Sequence, residues 1–223
     1  MIYFRNLLYN IVKYVSKSGV SMNINTTYTK IITGEDLMET AQHGSTLYPF
    51  QFYYEDLSVF DFNCIEWHWH TELEFIYIES GTVTLWIGED QFHLTEGNGV
   101  FINTKVLHRL YSPSKALIPN FVFMPSFIAP CDSLIYQKYI LPIISSSLPF
   151  LVFHKKVCWQ AKVLSIMRQI ISAQDSVLSK ELLTSSLLQN LWLEIFENTD
   201  ISYQEEHKDH STASQARLQL MLQ

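Results

Sequence analysis

Two histidines, a glutamate and a glycine stand at short intervals in one segment, at positions 68, 70, 74 and 81, and this spacing constrains the fold more than any other feature. Alternate side chains of a β-strand project from the same face, so we expect His68, His70 and Glu74 to share one strand face. Gly81 then marks a tight turn, and the apolar run from Thr82 to Ile87 predicts the returning strand of a hairpin. The segment therefore predicts antiparallel β-structure that carries two imidazoles and a carboxylate together.

A second turn, Gly97-Asn98-Gly99, follows these strands. It leads into a short apolar run, a loop and then His108, which we expect to be the fourth member of the cluster. His93, in the strand before the turn, is the alternative ligand if His108 lies elsewhere. Trp86 lies on the return of the predicted hairpin, where it either lines a ligand pocket or packs in the core.

The charge balance argues against direct contact with nucleic acid. The chain has 15 basic and 22 acidic residues, and three of the basic residues precede Met22, where no acidic residue occurs. The remainder therefore carries a formal charge of 12 − 22 = −10. A phosphate-binding surface needs clustered basic residues, and here the clusters do not extend beyond the pair Lys155-Lys156.

Cysteine usage and the N-terminal segment bear on the compartment. Three widely spaced cysteines in apolar contexts argue against a disulfide framework, which favours a reduced, cytoplasmic location. Arg5 and Lys13 interrupt the apolar stretches at the N-terminus, so neither a signal sequence nor a membrane span is expected. Residues 1–21 are either a short amphipathic helix or a stretch upstream of translation that begins at Met22.

Hydrophobic periodicity divides the rest of the chain into three regions. Short β-rich runs between turn residues predict an antiparallel barrel and its connector over residues 22–153. Apolar residues at three- and four-residue spacing predict two amphipathic helices over residues 154–200. Residues 201–223 are typical of a polar linker followed by the first residues of another domain, cut off at position 223.

The second predicted helix, which follows Ser179 and is called α3, carries a wide apolar stripe, which we call the α3 stripe. Such a stripe either covers the barrel or faces a second copy of the chain, and its width favours a homodimer. The stripe consists of Leu183, Leu187, Leu188, Leu191, Trp192, Ile195 and Phe196.

Two motifs resemble those of the cupin barrel. The pattern HxHx3Ex6G runs from His68 to Gly81, and the turn at Gly97 is followed by a strand and His108. Asn103 and Thr104 depart from the second motif, because they stand where a cupin often has proline. The resemblance implies a mainly β fold with an α appendage, in which a cupin-like jelly-roll barrel (a double-stranded β-helix) precedes a two-helix dimerisation segment.

The order of the regions adds a more specific likeness. A barrel, a connector with the sequence Gln137-Lys138-Tyr139-Ile140-Leu141-Pro142, two helices, a polar linker and Ala216-Arg217-Leu218 resembles the N-terminal effector domain of AraC-type transcription regulators, over roughly residues 45 to 223. The resemblance implies a small-molecule effector, often a sugar, and a homodimer. It also implies DNA binding only through a C-terminal module that is missing here beyond its first residues.

Two functions of different classes fit the cluster. In the first, His68, His70, Glu74, His108 and Trp86 line a sensor pocket that binds an effector, needs no cofactor and catalyses nothing. In the second, the histidines and Glu74 bind a divalent metal (Zn, Ni, Mn or Fe), as in metal-dependent cupin oxygenases and isomerases. A purely structural role, in which the histidines satisfy each other or backbone groups, is the third alternative. We favour the sensor, because no nucleophile motif, phosphate loop or dinucleotide fingerprint occurs elsewhere.

Overall fold

The computed structural model describes residues 29–199 with their side chains, together with the backbone of two earlier strands. These strands, Val12–Val15 (β1) and Ser21–Ile24 (β2), pair antiparallel. The extended backbone of β1 differs from the amphipathic helix that is one alternative for residues 1–21. The rest of that extension and the predicted linker and domain start at 201–223 lie outside the described residues.

Within residues 29–199, nine strands form two antiparallel sheets. The strands are β3 (Phe50–Asp56), β4 (Cys64–His68), β5 (Leu73–Tyr77), β6 (Thr82–Ile87), β7 (Asp90–Thr95), β8 (Gly99–Ile102), β9 (His108–Tyr111), β10 (Leu117–Phe123) and β11 (Phe150–Phe153). The five-stranded sheet has the order β11-β8-β5-β10-β3, and the four-stranded sheet has the order β4-β9-β6-β7. The predicted mainly β barrel with a helical appendage is confirmed.

The two sheets differ in burial because only one of them is covered on both faces. Every residue of β5, β8 and β10 is buried, as expected of strands between two apolar layers. Phe75 and Phe101 pack in the cluster shared with the helices, whereas Ile76 and Val100 pack in the cluster inside the barrel. In the four-stranded sheet β9 alternates between buried and half-buried positions, and Leu94 is the one buried residue of β7, so the outer face of this sheet meets solvent.

The strands on either side of Gly81 belong to different sheets, which corrects the predicted hairpin. β5 pairs with β8 and β10, whereas β6 pairs with β7 and β9. Gly81 is still required at the crossing, because its φ is +87° and a Cβ would lie 2.7 Å from the carbonyl oxygen of Lys115. Alternation within a strand predicts the strand but does not specify its partner, which is why the pairing was missed.

Helical turns connect the barrel to two long helices. The short elements are the 3₁₀ turns Leu57–Val59, Asp61–Asn63 and Pro125–Phe127, the π-helical turn Tyr136–Ile140 and α1 (Leu141–Ile144). The long helices are α2 (Cys158–Ala173) and α3 (Lys180–Asn198), which lie within the predicted helical segment 154–200. No helix in the described part of the chain has both the length and the apolar character needed to cross a bilayer.

The α3 stripe packs inside its own chain, which corrects its assignment as the dimer seam. Leu187, Leu191, Trp192 and Ile195 are each at most 9% exposed and belong to the cluster that joins the helices to the five-stranded sheet. The indole nitrogen of Trp192 donates a hydrogen bond of 2.9 Å to the carbonyl of Tyr139, and its ring meets Phe101 edge-on. Among the residues predicted for the dimer seam, Leu183 alone is substantially exposed, at 40%. The stripe is wide because it packs on the face of the five-stranded sheet that the helices cover. Its width is therefore explained without a second copy of the chain.

Candidate metal centre

The three histidines and Glu74 converge inside the barrel from both sheets. His68 ends β4, and His108, which begins β9, lies directly opposite it in the register. His70 lies in the corner that follows β4, and Glu74 is the second residue of β5 in the other sheet. The expectation of one shared strand face is therefore wrong, because the chain bends at residues 71–72 and changes sheet. The expected cluster forms all the same, and each member is at most 7% exposed.

Backbone carbonyls orient the three imidazoles in the same way. The Nδ1-to-oxygen distances are 2.8 Å from His68 to Glu66, 3.2 Å from His70 to Glu72 and 2.9 Å from His108 to Val106. Since a carbonyl only accepts, each Nδ1 carries a proton and the neutral ring presents its Nε2 lone pair. One nitrogen from each ring lies within 4.8 Å of the other two. Three lone pairs thus meet in one small space.

Glu74 adds a negative charge to this group. One of its carboxylate oxygens lies 3.3 Å from Nε2 of His70 and 3.1 Å from Nε2 of His108. Burial opposes its ionisation, but these imidazole contacts together hold the pKa of the carboxyl well below its usual range. The carboxyl group is therefore ionised at neutral pH.

The contacts within the cluster shift the pKa values of His68 and His70 in opposite directions. Burial, followed by the charges of His108 and His70, holds the pKa of His68 well below its ordinary value. Burial also lowers the pKa of His70, but its hydrogen bond to Glu74 and that carboxylate's charge more than offset this and raise it. Without a metal, a proton on His70 is therefore the natural partner of Glu74, whereas His68 is neutral at physiological pH.

The donor set fits a divalent transition metal. Nε2 of His108 is fully buried and has no hydrogen-bond partner, since its approach to Glu74 lacks hydrogen-bonding geometry. Such an orphaned atom is costly unless something accepts its lone pair. Three imidazole nitrogens beside a carboxylate suit Zn, Ni, Fe or Mn, and carbonyl-bound Nδ1 atoms are the usual outer support of histidine ligands. His68, His70 and His108 would hold the ion, and Glu74 lies close enough to join or steady them.

The cluster forms one end of a small cavity. Its volume is about 30 Å³, which is room for roughly two water-sized groups. The segment before β3 contributes Ile31, Glu39 and His43 to its lining, and β3 contributes Tyr53 and Glu55.

Comparison with known proteins supports the fold. The family model described as Cupin domain, Cupin_2, matches residues 64–118. Residues 64–118 therefore resemble a cupin domain. The chain is 24% identical over 143 residues to a protein of Bacillus subtilis (strain 168) named "Uncharacterized HTH-type transcriptional regulator YdeC". The aligned region covers 62% of this chain and 48% of that protein. The chain thus spans about half the length of the curated relative that it matches.

Two solved structures are similar in part to this chain. ToxT from Vibrio cholerae O395 is 12% identical, with a TM-score of 0.47, over 69% of this chain and 56% of that one. A cupin-2 domain containing protein from Shewanella frigidimarina is 20% identical, with a TM-score of 0.30, over 36% of this chain and 81% of that one.

Two other expected site residues lie on the outside of the cupin barrel. Trp86 faces away from the cavity, and the guanidinium of Arg109 stacks 5.0 Å from its ring centroid. The assignment of Trp86 as a ligand-binding residue is therefore wrong. Trp86 lies on the opposite face of β6 from the inward-facing Val83 and Leu85. His93 is exposed and lies 3.2 Å from the hydroxyl of Thr84, so it cannot replace His108.

Sequence reasoning missed the polar wall opposite the histidines. Tyr53 and Glu55 alternate with outward-facing residues in β3, so polar residues at period two were the signal for an inward polar face. Asn120 interrupts the apolar run of β10 in the same way. Glu39 and His43 precede the first barrel strand in a segment without regular structure, where no periodicity points to a cavity.

Proposed function

We propose that this chain is the sensing region of a transcription regulator, and that its cupin cavity binds the signal. The convergence of three buried imidazoles and Glu74 inside the barrel carries the proposal. The likeness to a protein named as a transcriptional regulator supports the regulatory role. DNA binding is then the task of a separate helix-turn-helix module, because this chain has a formal net charge of −7 and lacks a basic run in its sequence. A regulator of this kind works in the cytoplasm.

We further propose that the ligand at the histidine end is a divalent transition metal. A cavity of about 30 Å³ accommodates an ion and about one water, whereas a sugar-sized effector requires the segment before β3 to move. Carbohydrate binding therefore stays a prediction from resemblance, while the ion has a ready set of donors. A bound metal would supply a Lewis-acid centre.

The chain's own residues explain how such binding reports a signal. His68 and His108 belong to the four-stranded sheet, and Glu74 belongs to the five-stranded sheet that supports the helices. An occupant held by all of these side chains would link the two sheets and stabilise the folded form by mass action.

Thermal unfolding tests the sensor directly. The chain, stripped of metal by chelator and dialysed, should gain several degrees in Tm with Zn²⁺, Ni²⁺, Mn²⁺ or Fe²⁺, and little with pentoses or hexoses. A sugar response without a metal response would replace the metal with a carbohydrate effector. Consumption of a bound metabolite, lost in a folded Glu74→Gln variant, would instead support a metal-dependent oxygenase or isomerase.

A homodimer remains a prediction for this chain, with a seam that excludes the buried part of the α3 stripe. Large apolar side chains stay exposed on α3, at 78% for Leu182, 40% for Leu183 and 51% for Leu193. Sedimentation of the chain at micromolar concentration, with and without Leu182→Glu, measures whether they join two copies. A dimer that is unchanged by the substitution would place the seam away from Leu182.

A further inference from the structure

The cavity has a second polar end, away from the histidines. On β10, Val122 lies opposite Glu74 in the register, and Ile118 lies opposite Glu55. These positions are four residues apart, so the Cα atoms of Glu74 and Glu55 are offset by roughly 13 Å along the strand direction. Glu55 is 4% exposed, and one of its oxygens accepts a 3.1 Å hydrogen bond from the amide of Asn120, which is also 4% exposed.

Glu39 and His43 cover the cavity between its two ends, because the His43 ring centroid lies 5.6 Å from that of His70. Nδ1 of His43 lies 2.9 Å from the hydroxyl of Tyr53, and its Nε2 lies 3.4 Å from a carboxylate oxygen of Glu39. That approach does not have hydrogen-bonding geometry, so the Nε2 atom has no hydrogen-bond partner although His43 is 7% exposed. A buried ring nitrogen on the cavity wall without a partner indicates that the wall is incomplete without a ligand.

The charge of the lining decides which ligand this wall suits. Among the described residues that line the cavity there are three glutamates, Glu39, Glu55 and Glu74, and no lysine or arginine. Burial, followed by the negative charges of Glu39, Glu55 and Glu74, raises the pKa of the Tyr53 phenol, which shows that the carboxylates act on the same space. An anion in this cavity would be repelled, and a cation would be attracted.

We propose that the wall formed by Glu39, His43, Tyr53 and Glu55 binds the ammonium group of a small primary amine. The cavity volume of about 30 Å³ admits such a headgroup, and the remainder of the molecule would pass the segment before β3. An ammonium group donates three hydrogen bonds and needs acceptors and negative charge around it, which carboxylates and a phenol oxygen supply. The inference rests on the proposed sensing function, because it assigns the class of the organic ligand.

Three probes of matched size test the proposal on the full chain: ethylamine, ethanol and acetate, at constant ionic strength. Ethylamine at a large excess over its dissociation constant should raise Tm by roughly 5 °C or more, whereas ethanol and acetate should leave it unchanged. Glu55→Gln keeps the shape of the side chain and should weaken ethylamine binding by about tenfold or more. Glu89→Gln, on the exposed β6–β7 turn, removes the same charge and should bind ethylamine as the parent chain does.

A Glu39→Gln variant provides the same test from the covering segment if Glu55→Gln fails to fold. The proposal is overturned if no probe raises Tm, if ethanol or acetate matches ethylamine, or if ethylamine binds both folded variants unchanged. Metal content, measured on the same samples, distinguishes failure of the amine proposal from failure of the metal proposal. If the chain binds metal but does not respond to ethylamine, only the amine proposal is refuted. If it responds to ethylamine but does not bind metal, only the metal proposal is refuted.

Discussion

Replacing Leu191 by alanine tests whether α3 is part of the chain's own core. Leu191 is 1% exposed in the cluster between the helices and the five-stranded sheet. The substitution removes three buried carbon atoms, worth about 2.4 kcal/mol at about 0.8 kcal/mol each, and the cavity left behind adds to this. We therefore expect the free energy of unfolding to fall by about 3 kcal/mol, which lowers Tm by roughly 6–12 °C in a chain of this size.

Leu182→Ala is the matched control, because it makes the same chemical change on the same helix at a side chain that is 78% exposed. It should change the free energy of unfolding by no more than about 0.5 kcal/mol. Urea unfolding, followed by the helical circular dichroism signal, measures both variants. Equal effects of the two substitutions would refute the burial argument. A Leu191→Ala chain of normal stability that dissociates from a dimer would return the α3 stripe to the interface between two copies.

The remaining predictions concern the site and the crossing between the sheets. The rise in Tm caused by a metal should grow as the pH increases from about 6 to about 8, because the raised pKa of His70 lets a proton compete for its Nε2. Without metal, the stability of the folded chain should instead decrease as the pH increases over this range, because the stabilising charge on His70 is lost as the pH rises through its folded-state pKa. The stabilising charge on Glu74 is lost only as the pH falls through its lowered pKa. A metal-dependent rise in Tm that is flat or decreasing over this range would contradict the histidine site. Gly81→Ala should destabilise the chain more than Gly88→Ala, since both have positive φ but only a Cβ at Gly81 would meet the backbone, and chemical denaturation that ranks them the other way would refute this account of the crossing. Trp86→Ala should leave metal affinity unchanged by isothermal titration, and a large loss would put this ring back in the cavity.

The local pattern of the sequence was sufficient to predict the strands and the cluster. The spacing of His68, His70 and Glu74, with the later His108, predicted four side chains that the structure does bring together. The sequence did not reveal that the chain changes sheet between His70 and Glu74 and again at Gly81, because period two predicts a strand and not its partner.

What the sequence did not reveal depends on contacts between distant elements. The width of the α3 stripe is the same whether it packs on a sheet or on a second chain, so amphipathicity could not decide between them. Trp86 and the cavity-lining Tyr53 are both aromatic residues in strands, and which of them faces inward depends on which parity of each strand meets the barrel interior, which an aromatic side chain alone does not reveal. Glu39 and His43 reach the cavity from an irregular segment, for which a single sequence provides no spacing rule.

The metal content of protein purified without chelator tests the central claim most directly. Elemental analysis should find about one equivalent of a divalent transition metal in the parent chain, and less than about a tenth of an equivalent in a folded His108→Ala variant. His93→Ala removes an exposed histidine from the same sheet and should keep the full content. A parent chain that is free of metal and does not take up Zn²⁺, Ni²⁺, Mn²⁺ or Fe²⁺ on titration, or a His108→Ala variant that retains it, would contradict the account.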